Sequence, residues 1–221
     1  MQIEVFRFND IAVNTYILSD NGKCAIVDPG CHTEKEQQTL CNHIDSKGYQ
    51  PQFIINTHCH CDHIVGAQFV KEHYNIPFIA NPADQYWLDH AAETGNHWGW
   101  YDVVSPVIDK PSNDGDTFKL GNAELKVMHT PGHSRGQQAI YSEKDKFVIV
   151  GDTIFKGTIG RTDLADGNLD DLMDSIKNKI IPLGGDYTIF PGHGPITKIS
   201  IEVRENPFLS FFGEDISMEN M

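Results

Sequence analysis

Thr57-His58-Cys59-His60-Cys61-Asp62-His63 decides the reading of this chain. Three histidines and an aspartate follow directly on the apolar run Pro51 to Asn56. Such a cluster contributes little to a core and suits a metal ion. The run before it reads as a short buried strand, and Ile64 to Tyr74 reads as a helix with Val65, Phe69 and Val70 on one side. The cluster therefore lies on a loop between the carboxyl end of a strand and a helix, where open α/β sheets collect ligands. Side chains at i and i+2 of extended backbone point the same way. His58 and His60 can thus converge on one ion, while Asp62 and His63, where the chain turns into the helix, can face a second.

One histidine among 11 carries little information, but similar settings recur downstream. His133 lies in Thr130-Pro131-Gly132-His133, after the strand-like Leu125 to Met128. Asp152 lies in Val150-Gly151-Asp152-Thr153, after the apolar Phe147 to Val150. His193 lies in Phe190-Pro191-Gly192-His193-Gly194, after Tyr187 to Phe190. Each time a short apolar strand ends in a glycine-containing turn with one ligand-type side chain, and glycine lets backbone bend sharply near an ion. Seven such residues from four strand ends point to a two-metal site rather than a single structural zinc.

This pattern resembles the metallo-β-lactamase superfamily of hydrolases, along almost the whole chain. Asn14-Thr15-Tyr16-Ile17-Leu18 and Ala25-Ile26-Val27-Asp28-Pro29-Gly30 are similar to the family's opening strands. Gly151-Asp152-Thr153-Ile154-Phe155, Ile159-Gly160-Arg161-Thr162-Asp163, Pro191-Gly192-His193-Gly194-Pro195 and Glu205-Asn206-Pro207-Phe208-Leu209 resemble its short, single-domain glyoxalase II-like branch. The resemblance implies a four-layer αββα sandwich, with the metals at one edge between the sheets. It also implies that His58, His60 and His133 hold one ion, that Asp62, His63 and His193 hold the other, and that Asp152 bridges them. Zinc is the expected metal, with iron and manganese as alternatives that suit the same nitrogen and carboxylate donors. Asp28 is expected to order the metal loops rather than bind an ion itself.

Bulk properties agree with one compact enzyme domain over 1–221. Hydrophobic residues make up 39% of the 221, and the formal net charge is −14. That acidity argues against a nucleic-acid partner, which needs clustered Lys and Arg. MQIEVFRFNDIAVN has no signal-peptide apolar region, since Glu4, Arg7 and Asp10 break it. No apolar run approaches the ~18 residues that span a bilayer, so no membrane partner and a cytoplasmic location are expected. Five cysteines without framework spacing suggest reduced thiols. Cys59 and Cys61 alternate with the histidines and should point away from the ions.

Thr33 to Lys47 reads as a helix, with a Thr33–Glu36 capping box and Gly48 to end it. A second helix opens at Asn168, with Leu169, Leu172, Met173, Ile176 and Ile180 on one stripe. Strands are expected at 14–18, 24–28, 52–56, 125–128, 138–141, 146–150 and 187–190. Asn81 to Pro111 starts helically and continues into Thr94-Gly95-Asn96-His97-Trp98-Gly99-Trp100-Tyr101. This glycine-spaced aromatic stretch can cover a site or pack down, and the lid is the favoured reading.

Two ions ~3.5–4 Å apart can share a water and lower its pKa from 15.7 towards ~7. The expected reaction is hydrolysis of a small-molecule thioester, S-lactoylglutathione or a related acyl carrier. A thiolate leaves with a conjugate-acid pKa near ~8.5 and needs little protonation. Of the residues placed so far, only Asp62 could carry a proton, besides its metal role, while Asp152 serves as the bridge. By the resemblance, too few residues follow His193 for glyoxalase II's helical domain with its cationic glutathione contacts. Arg161 is then the expected substrate anchor, or else a salt-bridge partner of Asp163 or Asp166. The rival within the family is a persulfide dioxygenase, an oxidoreductase that uses one iron through the equivalents of His58, His133 and Asp152.

Overall fold

The computed structural model describes residues 1–209. Its first sheet keeps chain order: β1 (Gln2–Phe8), β2 (Val13–Asp20), β3 (Lys23–Val27), β4 (Gln50–Ile55), β5 (Phe78–Ala80) and β6 (Lys110–Pro111). The second sheet comprises β7 (Thr117–Leu120), β8 (Ala123–His129), β9 (Gln138–Ser142), β10 (Phe147–Gly151), β13 (Thr188–Pro191) and β14 (Thr197–Lys198), in the order β14-β13-β10-β9-β8-β7. A small hairpin of β11 (Ile154–Phe155) and β12 (Thr158–Ile159) leaves its edge. The helices are α1 (Glu34–Ser46), α2 (Cys61–Ile64), α3 (Ala67–Tyr74), α4 (Gln85–Asp89), α5 (Ala91–His97), α6 (Leu169–Ser175) and α7 (Ile199–Glu205).

Strands β1 to β3 pair antiparallel, and β3 to β6 run parallel. Parallel neighbours need crossovers, which α1, then α2 and α3, then α4 and α5 provide. Period-two alternation assigns each strand's residues to two cores. Tyr16, Leu18, Ala25, Val27, Phe53 and Ile55 meet Leu125, Val127, Ile140, Phe147 and Ile149 between the sheets. On the other face of the first sheet, Ile17, Ile26 and Ile54 pack on Leu40, Ile44, Ile64 and Val70 of the helices. Val148, Val150 and Ile189 likewise pack outward on Leu172, Ile176 and Ile199. Three cores separate four layers, so the fold is the expected αββα sandwich. Central strands are covered on both faces, which is why they read as unbroken apolar runs.

The capping box of α1 forms as expected. The Glu36 N–H donates to Thr33 Oγ1 at 3.3 Å, and the Thr33 N–H donates to Glu36 Oε2 at 3.0 Å. Three other expectations need correction. β1 was not among the expected strands, because Glu4 and Arg7 interrupt its alternation and its outer face stays partly exposed. The helix expected over Ile64 to Tyr74 is broken at Gly66, where a Cβ would meet Cys31 Sγ at 2.5 Å and the Pro29 carbonyl at 2.7 Å. The Asn81–Pro111 aromatic segment packs down instead of forming a free loop. Thr94–His97 belongs to α5, Trp87 and Trp100 are buried, and Gly95 lies so close to Val103 that a Cβ would sit 2.6 Å from its Cγ2. Trp98 and Tyr101 alone of its central aromatics stay exposed. Among the described residues no helix is long and apolar enough to cross a membrane.

Tyr16 ties the two sheets: its hydroxyl, buried between them, donates to the Pro191 carbonyl at 2.5 Å. That carbonyl also accepts from Asn14 Nδ2 at 2.9 Å, so removing the hydroxyl does not orphan it. Tyr16→Phe should therefore cost about 0.5–1.5 kcal/mol of stability, measured by denaturant unfolding, with metal content unchanged.

Candidate metal centre

Every expected ligand sits just beyond a strand's carboxyl end, at one edge of the sandwich. β4 leads into His58, His60, Asp62 and His63; β8 leads towards His133; β10 leads into Asp152; and β13 leads into His193. The ligand-type atoms of His58, His60 and His133 lie within 4.8 Å of one another, and so do those of Asp62, His63 and His193. Asp152 stands between the two groups. Its Oδ1 is 3.5 Å from His63 Nε2, and its Oδ2 is 3.5 Å from His133 Nε2 and 3.7 Å from His193 Nε2. All seven expected ligands are thus brought together.

Hydrogen bonds on the far side of the rings fix which nitrogen points inward. His58 Nδ1 faces Thr57 Oγ1 at 3.1 Å, and His63 Nδ1 faces Asp28 Oδ2 at 3.0 Å. His133 Nδ1 faces the Arg161 carbonyl at 2.8 Å, and His193 Nδ1 faces the Ile11 carbonyl at 3.2 Å. His60 is held by packing: the Trp87 ring lies edge-on to it, with centroids 4.2 Å apart. The Nε2 atoms of His58, His60, His63 and His133, and Asp152 Oδ1, are left buried without a hydrogen-bond partner. Buried lone pairs are costly to leave unmet, and a cation is the partner that answers several converging at once. These residues fit divalent metal ions.

The two groups differ electrostatically. Burial, then the neighbouring His63, pushes His58 well below the usual histidine range, and burial with His133 does the same to His60. Burial also opposes charge on His63, but Asp62, Asp152 and Asp28 overcome it and raise His63 to about 10. For His193, burial is likewise overcome, by Asp62 and Asp152. Asp62 is pushed up by burial yet ends well below the carboxylate range, because His63 and His193 face it.

Asp28 grips the loops as expected, and its carboxylate also lies within 4.8 Å of ligand-type atoms of His58 and His63. It is fully buried, and its carboxylate accepts from the Thr57 N–H at 2.7 Å, from Thr57 Oγ1 at 2.6 Å and from His63. Cys59 and Cys61 turn away from the centre into the core beneath α1 to α3. Arg161 takes the salt-bridge alternative: Nε and Nη2 fork onto Asp163 at 2.7 and 2.9 Å on the surface. Sequence reasoning missed Asp84. This buried carboxylate accepts from the Cys59 N–H, Ser134 Oγ and the Gly136 N–H. Burial pushes it up to about 6, against the pull of those donors. Nothing in Asn81-Pro82-Ala83-Asp84 announces that role, since the same letters suit an exposed turn.

A model of the metallo-beta-lactamase superfamily matches residues 9–193. The chain belongs to that superfamily. It is 31% identical over 213 residues to the hydroxyacylglutathione hydrolase GloC of Haemophilus influenzae, covering 95% of this chain and 99% of that protein. Among solved structures it is similar to the BLEG-1 B3 metallo-beta-lactamase, with TM-score 0.87, 31% identity and coverage of 95% of this chain and all (100%) of the other. It is also similar to TTHA1623 in a di-iron-bound form, with TM-score 0.83, 29% identity and coverage of 93% and 100%. With a superfamily fold and paired His/Asp groups, the protein is a metallo-hydrolase that takes divalent ions.

Gly192 is a tight point of the centre. A Cβ there would run into Asp152 Oδ1 and lie 2.8 Å from His63 Cε1. Gly192→Ala should lower the metal content of purified protein, read by elemental analysis, while far-ultraviolet circular dichroism stays at the wild-type level.

Proposed function

We propose that this metallo-hydrolase cleaves small acyl thioesters at a two-ion centre, with His58, His60 and His133 on one ion, Asp62, His63 and His193 on the other, and Asp152 on both. The observation that carries the two-ion reading is the Asp152 carboxylate, whose two oxygens face nitrogens of both histidine groups. When bound, such an ion pair supplies hydroxide at neutral pH and polarises the substrate carbonyl. The chain's own residues prepare that chemistry. Burial favours neutral His58 and His60, while Thr57, Asp28 and the Arg161 and Ile11 carbonyls orient the rings of His58, His63, His133 and His193 in turn.

Asp62, the one candidate proton carrier, is held ionised by His63 and His193. A site without a ready acid favours a leaving group that departs as an anion, as a thiolate does. The GloC relative, named for hydroxyacylglutathione hydrolysis, supports the same substrate class. Arg161 serves as the substrate anchor by exchanging Asp163 for a substrate carboxylate. Its present pair is exposed on both sides, and such pairs are weak and screened by solvent.

The deciding experiment assays the metal-loaded protein on lactoylglutathione, on a truncated thioester of the same acyl group, on a β-lactam, and on glutathione persulfide with oxygen monitoring. Thioester turnover without oxygen uptake is expected. Oxygen uptake with persulfide alone would overturn the proposal in favour of a dioxygenase, and turnover of the β-lactam alone would overturn it in favour of a lactamase. If Arg161 anchors substrate, Arg161→Ala should raise KM by about 10-fold or more with little change in kcat, and Asp163→Ala should lower KM.

Metal uptake should also depend on pH differently in the two groups. A ligand histidine must lose its proton before it binds an ion. The carboxylates around His63 favour its protonated form, raising it to about 10 against burial, so affinity of its group should rise as pH goes from 6 to 9. The three-histidine group, where burial disfavours the charged form of His58 and His60, should change less. Calorimetry in buffers of different ionisation enthalpy separates the two, with more proton release expected on uptake of the ion beside His63.

A further inference from the structure

We propose that Asp84 is a positioning residue that fixes His58, His60 and His133 relative to one another and thereby sets how tightly their group holds its ion. The inference rests on the two-ion reading above. Those three histidines come from opposite halves of the sandwich: His58 and His60 follow β4 of the first sheet, while His133 follows β8 of the second. Their relative placement therefore needs links between the two halves; Gln138 joins the strand ends through Thr57 and Asn56, and Asp84 joins the histidine loops themselves. Asp84 Oδ2 accepts from the Cys59 N–H at 2.9 Å, the residue between His58 and His60. The same oxygen accepts from Ser134 Oγ at 3.0 Å, immediately after His133, and Oδ1 accepts from the Gly136 N–H at 2.6 Å.

Three features set this carboxylate apart from an ordinary core polar group. It is fully buried, and among the described residues no cationic side chain pairs with it. Two of its three donors, at Cys59 and Ser134, adjoin metal-type histidines, and the third, Gly136, lies in the same loop as His133. The fit is also close: a Cβ on Gly136 would stand 2.6 Å from Asp84 Cγ. One turn on, Trp87 closes against the His60 ring, and its Nε1 donates to Asp166 Oδ1 at 3.0 Å. Asp166 Oδ2 in turn accepts from the Arg135 N–H at 3.1 Å. The start of the aromatic segment thus clamps both loops from outside. Asp28 is the counterpart at the second group, where it grips Thr57 and His63.

Charge and shape explain why an aspartate is required. Donors approach both oxygens, and an amide presents an acceptor on one side only. Asp84→Asn keeps the size but turns an NH2 group onto at least one donor. Partners of this kind typically change metal affinity by about 10–100-fold. The test uses full-length protein stripped of metal and reloaded with cadmium-113, which gives one NMR signal per bound ion, together with chelator competition for each affinity. Asp84→Asn is expected to weaken the three-histidine ion by about 10–100-fold and to shift its signal, leaving the other ion's signal and affinity as in the wild type. Ser134→Ala, which removes one of the three bonds, should weaken the same ion by a smaller factor. Wild-type affinities and signals at both ions in Asp84→Asn, with only the melting temperature lowered, would overturn the proposal and leave Asp84 a structural carboxylate. If Asp84→Asn does not fold, Ser134→Ala decides, and an unchanged affinity overturns it. Uptake of a single ion by the wild type would overturn the two-ion reading; the effect of Asp84→Asn on that one ion would then support or overturn the inference by itself.

Discussion

Inward-facing lone pairs at one edge of a dry sandwich are the constraint on which this molecule turns. Five histidines and two aspartates converge there, and several of their inward nitrogens and oxygens have no partner within the protein. Such an arrangement is unfavourable for a bare chain, because each buried polar atom has lost its water. It persists because the two sheets are locked together behind it. Tyr16, Val27, Ile55, Ile140 and Ile149 form one continuous core, and the strands that form it end at the centre. Packing energy thus holds in place a set of groups that would otherwise move apart.

The two halves of the centre meet that constraint in opposite ways. Around His58 and His60, burial dominates, so the rings are neutral and ready for an ion. Around His63 and His193, carboxylates outweigh burial and favour the protonated rings. Asp152 touches both environments. A single carboxylate therefore stands between a group where burial rules and a group where charge rules.

Much of this was legible in the sequence, and the reason is physical. Central strands covered on both faces must be apolar throughout, so 14–18, 24–28, 52–56 and 146–150 stand out. A ligand at a strand end sits beside glycine or proline, so the four ligand motifs stand out too. The capping box at Thr33 and Glu36 is local chemistry and reads directly. What failed was decided by distant contacts. Gly66 breaks a helix because the Cys31 backbone and sulfur approach it. Gly95 looks like a loop residue, yet it is there because Val103 packs against α5. The aromatic stretch takes the packed-down alternative at Trp87 and Trp100, which find a core that local sequence does not reveal. Asp84 was invisible for the same reason, since its donors lie far along the chain.

The N-terminal hairpin has a part in the centre that its sequence does not advertise. The Ile11 carbonyl orients His193 across a separation of 182 residues. The Asn14 N–H donates to Gly192 at 2.7 Å, and Asn14 Nδ2 donates to Gly194 at 3.0 Å. Asn9 Nδ2 reaches the Asp62 carbonyl at 3.0 Å. The first strands and the last ligand are therefore one mechanical unit, closed like a clasp by the two ends of the fold. A fragment lacking the opening hairpin would still carry all seven candidate ligands and yet leave His193 without the carbonyl that aims it. The centre belongs to the closed chain rather than to any contiguous piece of it.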